Sequence, residues 1–172
     1  MILTGLEIKN RLNKDIFIDP FDGKNLNPNS YNLTLAPELM IYLDSQLDMK
    51  EKPQTKTLVI PEDGFMIKKG TLYLGRTNEF TITKNLVPII CGRSSIGRLG
   101  LAIHITAGFG DIGFAGYWTL EITAVKDIVI YPNIPICQVI YHTIEGNYIG
   151  YNGKYQNNTG IGASKLEEEF DI

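Results

Sequence analysis

A chain of 172 residues, 44% hydrophobic and 20% charged, has the composition of an ordinary globular protein and is large enough to bury roughly 70% of its unfolded surface in one core. A net charge of −3 argues against a broad basic face for nucleic-acid polymers, although a few convergent cations would serve a nucleotide-sized polyanion. No apolar run approaches the ~20 residues that cross a bilayer, and the N-terminus lacks the basic segment and apolar core of a secretion signal.

The chain opens on a helix signature. Thr4 and Glu7 have capping-box spacing and Leu3 with Ile8 fits a hydrophobic staple, predicting a helix from Gly5 to about Asn13 with Ile8 and Leu12 on its buried face. Strand patterns follow. Ser30 to Leu35 alternates with period two between Pro28 and Pro37, prolines that suit strand ends, and Leu39 to Leu43 is a second run. Residues 44–54 are polar and read as loop. Strand-like segments then recur at 57–60, 65–67, 72–74, 80–83, 87–91, 101–106, 118–124, 128–131 and 137–143. Their spacing and Gly, Pro and Asn punctuation predict an all-β sandwich or barrel, one domain over 1–172. Cys91 and Cys137 lie in apolar surroundings without CxxC spacing, so two free thiols in a reducing cytoplasm are expected. From about residue 147 Tyr148, Tyr151 and Tyr155 sit among Gly and Asn without alternation, as a mobile C-terminal arm. Lys154 there either folds over a bound anion or belongs to a frayed terminus.

The chemistry concentrates between Gly92 and Glu121. GRSSIGRLGLAIHITAGFGDIGFAGYWTLE holds seven of the 17 glycines, two arginines around a Ser-Ser pair, one of the two histidines, and the acids Asp111 and Glu121. Glycines let backbone N–H groups approach a ligand, and guanidinium forks match phosphate oxygens. A surface turn with solubilising charges accounts for the same composition. Zinc patterns are absent: no HxH, HExxH or CxxC occurs, nor the HxE and PCxxC of zinc deaminases. No GxSxG or Walker A sequence is present. Acid–base work remains. Period two puts Glu121 on one strand face with Tyr117, Thr119 and Thr123, and Trp118, Leu120 and Ile122 on the other.

GRSSIGRLG, HITAG, DIGFAG and TLE, in this order and spacing, resemble the dCTP deaminases, and the Asp-x-x-aromatic-x-Gly element at Asp111 to Gly116 is shared with the wider dUTPase superfamily. The likeness extends over nearly the whole chain, including NPNSYNLTL and the GKY of the tail. It implies a distorted jelly-roll-like β-barrel assembled as a homotrimer, with active sites between subunits. It also implies a hydrolase acting on dCTP without zinc or any catalytic metal, Mg²⁺ accompanying the triphosphate, and inhibition by dTTP. By this resemblance Arg93, Ser94, Ser95 and Arg98 surround the triphosphate and the reacting water. Glu121 is the general base for attack at cytosine C4, a role that suits a carboxyl of raised pKa. The strand near Ala107, with His104 and Thr106, recognises the base. Asp111 serves the sugar side, where dUTPases activate water for attack on the α-phosphate, and Phe114 packs on the nucleoside. Tyr151, Lys154, Tyr155 and Asn158 belong to the closing tail.

Three positions depart from the family pattern. Asn32 replaces a usual Asp at a position that looks structural. Gly110 and Ile112 flank Asp111 where a β-branched residue and Pro are usual, which loosens that loop. Asn158 replaces a phosphate-reaching glutamine. Thr106-Ala107-Gly108-Phe109 resembles the bifunctional, dUMP-forming branch, with Gly108 removing bulk beside the base and Phe109 supplying an apolar wall. A deaminase releasing dUTP, a dUTPase without deaminase activity and a non-catalytic nucleotide-binding module are the alternatives.

Overall fold

In the computed structural model, which describes residues 1–170, the first element is helix α1, Gly5–Asn10. Thr4 caps it, Oγ1 accepting from the Glu7 N–H at 3.3 Å, and Leu3 and Ile8 are buried in the core. The helix stops short of the predicted Asn13. Arg11 is drawn into ion pairs with Glu7 and Asp15, each at 2.8 Å, and Asn13 takes a left-handed φ of 61°, which turns the chain out of the helix.

The strands are β1 (Ile16–Asp19), β2 (Tyr31–Tyr42), β3 (Thr55–Val59), β4 (Phe65–Ile67), β5 (Tyr73–Thr83), β6 (Leu86–Gly92), β7 (Leu101–Ala102), β8 (Ala115–Ala124), β9 (Ile128–Ile130) and β10 (Pro135–Thr143), with a short helix α2, Ser94–Arg98, between β6 and β7. One sheet runs β6-β10-β2-β5-β8-β7, with β1 added to β5 and β3 to β2, while β4 and β9 pair separately. The mainly-β expectation holds. Residues 44–54 lie outside strands, as predicted, and Leu43 joins them. No helix among the described residues is long and apolar enough to cross a membrane.

Several bounds differ from the sequence reading. The runs 30–35 and 39–43 are a single strand, β2. Pro37 does not end it, because it lies where the pairing with β5 shifts between Leu35 and Leu39, and a bulge tolerates a missing N–H. The runs 72–74 and 80–83 likewise merge into β5, whose pairing with β8 shifts between Arg76 and Phe80. These two irregularities bend the long strands and curl the sheet into a nearly closed barrel. The run 101–106 is strand only at Leu101–Ala102, and Ile103 is buried from a loop. On β8 the predicted two-faced pattern is present: Trp118, Leu120 and Ile122 are buried, and Tyr117, Thr119, Glu121 and Thr123 are half-buried on the opposite face.

The bend in β5 carries a buried acid. Glu79 is 3% exposed and accepts from the Thr34 N–H at 2.9 Å and the Thr34 hydroxyl at 2.8 Å. Beside it, Asn78 Nδ2 donates to the Leu35 carbonyl at 3.1 Å and to Asn133 Oδ1 at 3.0 Å. Burial pushes the Glu79 carboxyl above its ordinary value despite the Thr34 hydrogen bonds. A raised carboxyl in the native state contributes stability that is fully present below the unfolded value and lost as pH rises through the native one. Glu79→Gln keeps an acceptor for the Thr34 N–H and removes the charge. Its melting temperature relative to the unsubstituted protein is therefore expected to rise between pH 4 and pH 7; a pH-independent difference would mean that Glu79 does not titrate in this window.

Candidate active site

The glycine-rich stretch closes the barrel. After Leu101–Ala102 the chain crosses to β6 and pairs with it irregularly. Ile90 N–H donates to Gly108 O at 2.6 Å, Gly110 N–H donates to Pro88 O at 2.8 Å, and Phe109 bridges Ile89. This approach excludes side chains at both glycines. A Cβ on Gly108 would stand 2.4 Å from the Ile90 carbonyl oxygen, and one on Gly110 2.4 Å from Trp118 Cη2. Two expectations change accordingly. Gly108 makes room for backbone pairing with β6, its absent Cβ pointing at Ile90. Gly110 does not loosen the loop, because it is packed between Pro88 and Trp118.

Between this loop, β8 and the tail lies a cavity of about 420 Å³. Of the residues predicted for the site, His104, Ala107, Asp111, Phe114, Glu121, Tyr151, Tyr155 and Asn158 line it. Tyr42, Tyr117, Trp118 and Thr119 line it as well, and sequence reasoning missed them as site residues. Tyr117 and Thr119 carried a signal, as the residues that share a strand face with Glu121, and so did Trp118, the only tryptophan in the chain. Phe114 lies tilted against Trp118, ring centroids 4.6 Å apart, and 6.2 Å from Tyr151, so one wall is a continuous aromatic surface.

Glu121 is held from one side. Its Oε2 lies 2.5 Å from His104 Nδ1 and accepts from the Ile105 N–H at 3.3 Å. Burial, the strongest single influence, pushes the carboxyl up, but the His104 hydrogen bond and charge together with the Ile105 N–H outweigh it. The carboxyl therefore lies below its ordinary value. This corrects the raised value expected for a proton shuttle, and the cause is a partner 17 residues away in the chain. His104 Nε2 is buried without a hydrogen-bond partner among the described residues.

The tail lies along β8. Asn158 forms a parallel bridge with Gly116; its carbonyl accepts from the Tyr117 N–H at 3.0 Å, and its Nδ2 donates to the Tyr117 carbonyl at 3.0 Å. The Asn158 amide is thus engaged in clamping the tail to the strand. Gln156 takes the Ala115 N–H at 2.9 Å and donates to the Gly113 carbonyl at 2.9 Å. Further along, Gly162 N–H donates to Thr119 Oγ1 at 2.9 Å and Ser164 N–H to the Tyr42 hydroxyl at 3.1 Å. Lys154 is outside the cavity lining, its Nζ donating to the Lys165 carbonyl at 2.9 Å and to Glu169 at 2.5 Å.

The basic run stands apart. Arg93 Nη1 donates to the Pro135 carbonyl at 2.6 Å. Ser94, Ser95 and Arg98 are exposed on and around α2, Thr106 is exposed in its loop, and none of the five lines the cavity of its own chain. The NPNS segment supports this region: Asn27 donates to Asn32 Oδ1 at 2.9 Å, Ser30 Oγ to Gln138 Oε1 at 2.7 Å, and Gln138 Nε2 to the Gly92 carbonyl at 3.0 Å. Asn32 is structural, as expected. Among the described residues no three His, Cys, Asp or Glu side chains gather into a metal-binding group.

The Glu121 geometry has a direct readout. A ¹³C NMR titration of the Glu121 carboxyl is expected to give a midpoint below that of an ordinary glutamate. In His104→Ala, where burial acts with one fewer opponent, the midpoint should move upward. An unchanged midpoint would show that His104 does not hold the carboxylate in its ionised form.

Comparison with known proteins fits this geometry. A sequence model of the family described as dCTP deaminase-like matches residues 2–144. A protein of Hathewaya histolytica named "dCTP deaminase, dUMP-forming" is 62% identical over 172 residues, covering 99% of this chain and 100% of that one. A protein of Cytophaga hutchinsonii with the same name is 56% identical over 172 residues, covering 99% of each. The crystal structure of 2'-deoxycytidine 5'-triphosphate deaminase from Agrobacterium tumefaciens has a TM-score of 0.64 at 17% identity, over 81% of this chain and 47% of that longer one, a likeness of fold. On the strength of the family match and these full-length identities, the chain belongs to the dCTP deaminase-like family.

Proposed function

We propose that this protein is a hydrolase that converts dCTP and two waters into dUMP, ammonia and pyrophosphate. The observation that carries the reading is that Glu121 and Asp111, acids suited to two separate hydrolytic steps, line one cavity bordered by the tail. Full-length relatives named as dUMP-forming dCTP deaminases support the same outcome.

In the first step Glu121 takes a proton from water as its oxygen bonds to cytosine C4, and returns protons to N3 and the departing amine. Ammonia leaves and the C4 carbonyl forms. A depressed carboxyl is ionised at neutral pH and ready to accept that proton, while His104 keeps it oriented. General acid–base assistance of this kind contributes roughly 10²–10⁴-fold. In the second step Asp111 takes a proton from another water as it bonds to the α-phosphorus, and the bond from that phosphorus to the bridging oxygen breaks, releasing pyrophosphate. The backbone at Ala107 reads the base, with Thr106 beside it in the loop, the Phe114 wall packs on the nucleoside, and Tyr151 and Tyr155 exclude water from above.

Phosphate charge needs cations that one chain does not bring to its own cavity. We assign that task to Arg93, Ser94, Ser95 and Arg98 of a neighbouring copy in a homotrimer, Ser94 and Arg98 also holding the reacting water. Leu99, Ile105, Phe109 and Val125, all more than half exposed, offer apolar surface for such packing. Lys154 reaches the phosphates only by leaving Glu169. Asn158 contributes by holding the tail shut. Magnesium enters with the triphosphate and offsets its charge. A thymidine triphosphate fits the same aromatic wall without offering an amine to expel, so dTTP is an expected inhibitor. A free-nucleotide substrate is consistent with work in the cytoplasm.

Early-time product analysis with dCTP and Mg²⁺ tests the reading. Ammonia, pyrophosphate and dUMP are expected in equal amounts with little free dUTP, and Glu121→Gln should release ammonia at least ~10²-fold more slowly. Accumulation of dUTP in step with ammonia, without pyrophosphate, would reduce the activity to deamination alone. Cleavage of dUTP with dCTP untouched would make the protein a dUTPase, and binding without turnover a non-catalytic module.

A further inference from the structure

Trp118 is fixed on several sides. Its N–H donates to Thr77 Oγ1 at 3.1 Å and its indole Nε1–H to Thr81 Oγ1 at 2.9 Å, and its ring lies against Phe114 at 4.6 Å. The far edge of the indole, Cη2, reaches to 2.4 Å from the point a Cβ of Gly110 would occupy, and Pro88 Cγ and O stand 3.0 Å from that point. With the Gly110 N–H also bonded to Pro88 at 2.8 Å, the bare backbone of Gly110 is clamped between the indole and β6. Asp111 is the next residue.

Space lies on both sides of that aspartate. Besides the main cavity, Asp111 lines a second one of about 310 Å³, shared with Phe109, Ile112, Ile149 and Tyr151. Asp111 is itself exposed, and the 3.2 Å bond from Phe114 N–H to its carbonyl fixes the backbone of the following turn and leaves the carboxylate unspecified. The tight contact next to it is the one at Gly110. Glu121 is oriented separately, by His104.

We infer that Trp118 is the positioning residue for Asp111: the indole edge against Gly110 sets how far the loop extends, and so which of the two cavities the carboxylate serves. The inference rests on the proposed two-step reaction. It assigns Trp118 a role in the second step, phosphoryl cleavage, beyond walling the cavity. Enlarging residue 110 pushes the loop off the indole, and shrinking residue 118 lets it sag; either displaces Asp111 relative to the α-phosphorus. Misplacement by about 1 Å costs on the order of 10²-fold in a hydrolytic step.

The test compares pyrophosphate with ammonia released from dCTP by the full-length protein, by Gly110→Val, by Trp118→Phe and by the double variant. Circular dichroism and thermal melting establish that each variant is folded, and ammonia release reads the first step. Each single substitution is expected to lower the ratio of pyrophosphate to ammonia by roughly 10- to 10²-fold and to release dUTP. The double variant should recover part of the ratio, because the smaller ring vacates the indole side of the contact while Pro88 still bounds the other. A merely structural role would lower both products together and leave the ratio alone. The inference is overturned if single variants that still release ammonia keep the original ratio, or if the double variant is as impaired as the two singles combined. Should valine at 110 prevent folding, Gly110→Ala places one methyl at the same contact and carries the same comparison. Release of dUTP alone by the unsubstituted protein would refute the two-step reaction itself, a result separate from any shift among the variants.

Discussion

The close approach of residues 108–110 to β6 is the constraint on which the rest of the structure depends. Two backbone hydrogen bonds and the Phe109–Ile89 bridge join an irregular loop to a regular strand, and they form only because neither Gly108 nor Gly110 carries a Cβ. This junction closes the side of the barrel left open between β6 and β7. It also fixes the two ends of the reactive stretch, since His104 precedes it and Asp111 follows it. A cavity with one acid on a strand and another on a loop is the geometric result.

The electrostatics of the two acids follow from which partners the fold supplies. Glu79, buried in the β5 bend, and Glu121, half-buried in the cavity wall, move in opposite directions. Glu79 meets only neutral hydrogen bonds, those of Thr34 first, which do not overcome burial. Glu121 meets an imidazole at 2.5 Å, and the carboxylate form wins. The first arrangement belongs to a strand bend, where a buried acid accepts two hydrogen bonds from the neighbouring strand. The second favours the ionised carboxylate in the cavity wall, the form that the proposed proton abstraction from water requires.

Much of this was legible in the sequence because local rules decided it. The Thr4 cap needs only the residues beside it, and the alternation from Tyr117 to Thr123 follows from a strand with one buried face. The GRSSIGRLG, HITAG, DIGFAG and TLE motifs pointed to the family through their combined order. What escaped was set by tertiary contacts. Pro37 lies inside a strand because a bulge absorbs it. The apolar run at 101–106 leaves the sheet once His104 and Ile105 turn to Glu121. Tyr42 and Ser164, 122 residues apart, meet only when the tail lies down. From sequence Gly110 reads as slack in the loop, but Trp118 fills the space its side chain would need.

The most direct test of the account is a crystal structure of Glu121→Gln with dCTP and Mg²⁺. The account predicts cytosine C4 beside residue 121, the α-phosphate beside Asp111, the nucleoside against Phe114, and the triphosphate met by Arg98 of a neighbouring subunit. Nucleotide bound elsewhere on the barrel, or phosphates directed away from Asp111 with no second subunit at the site, would contradict it.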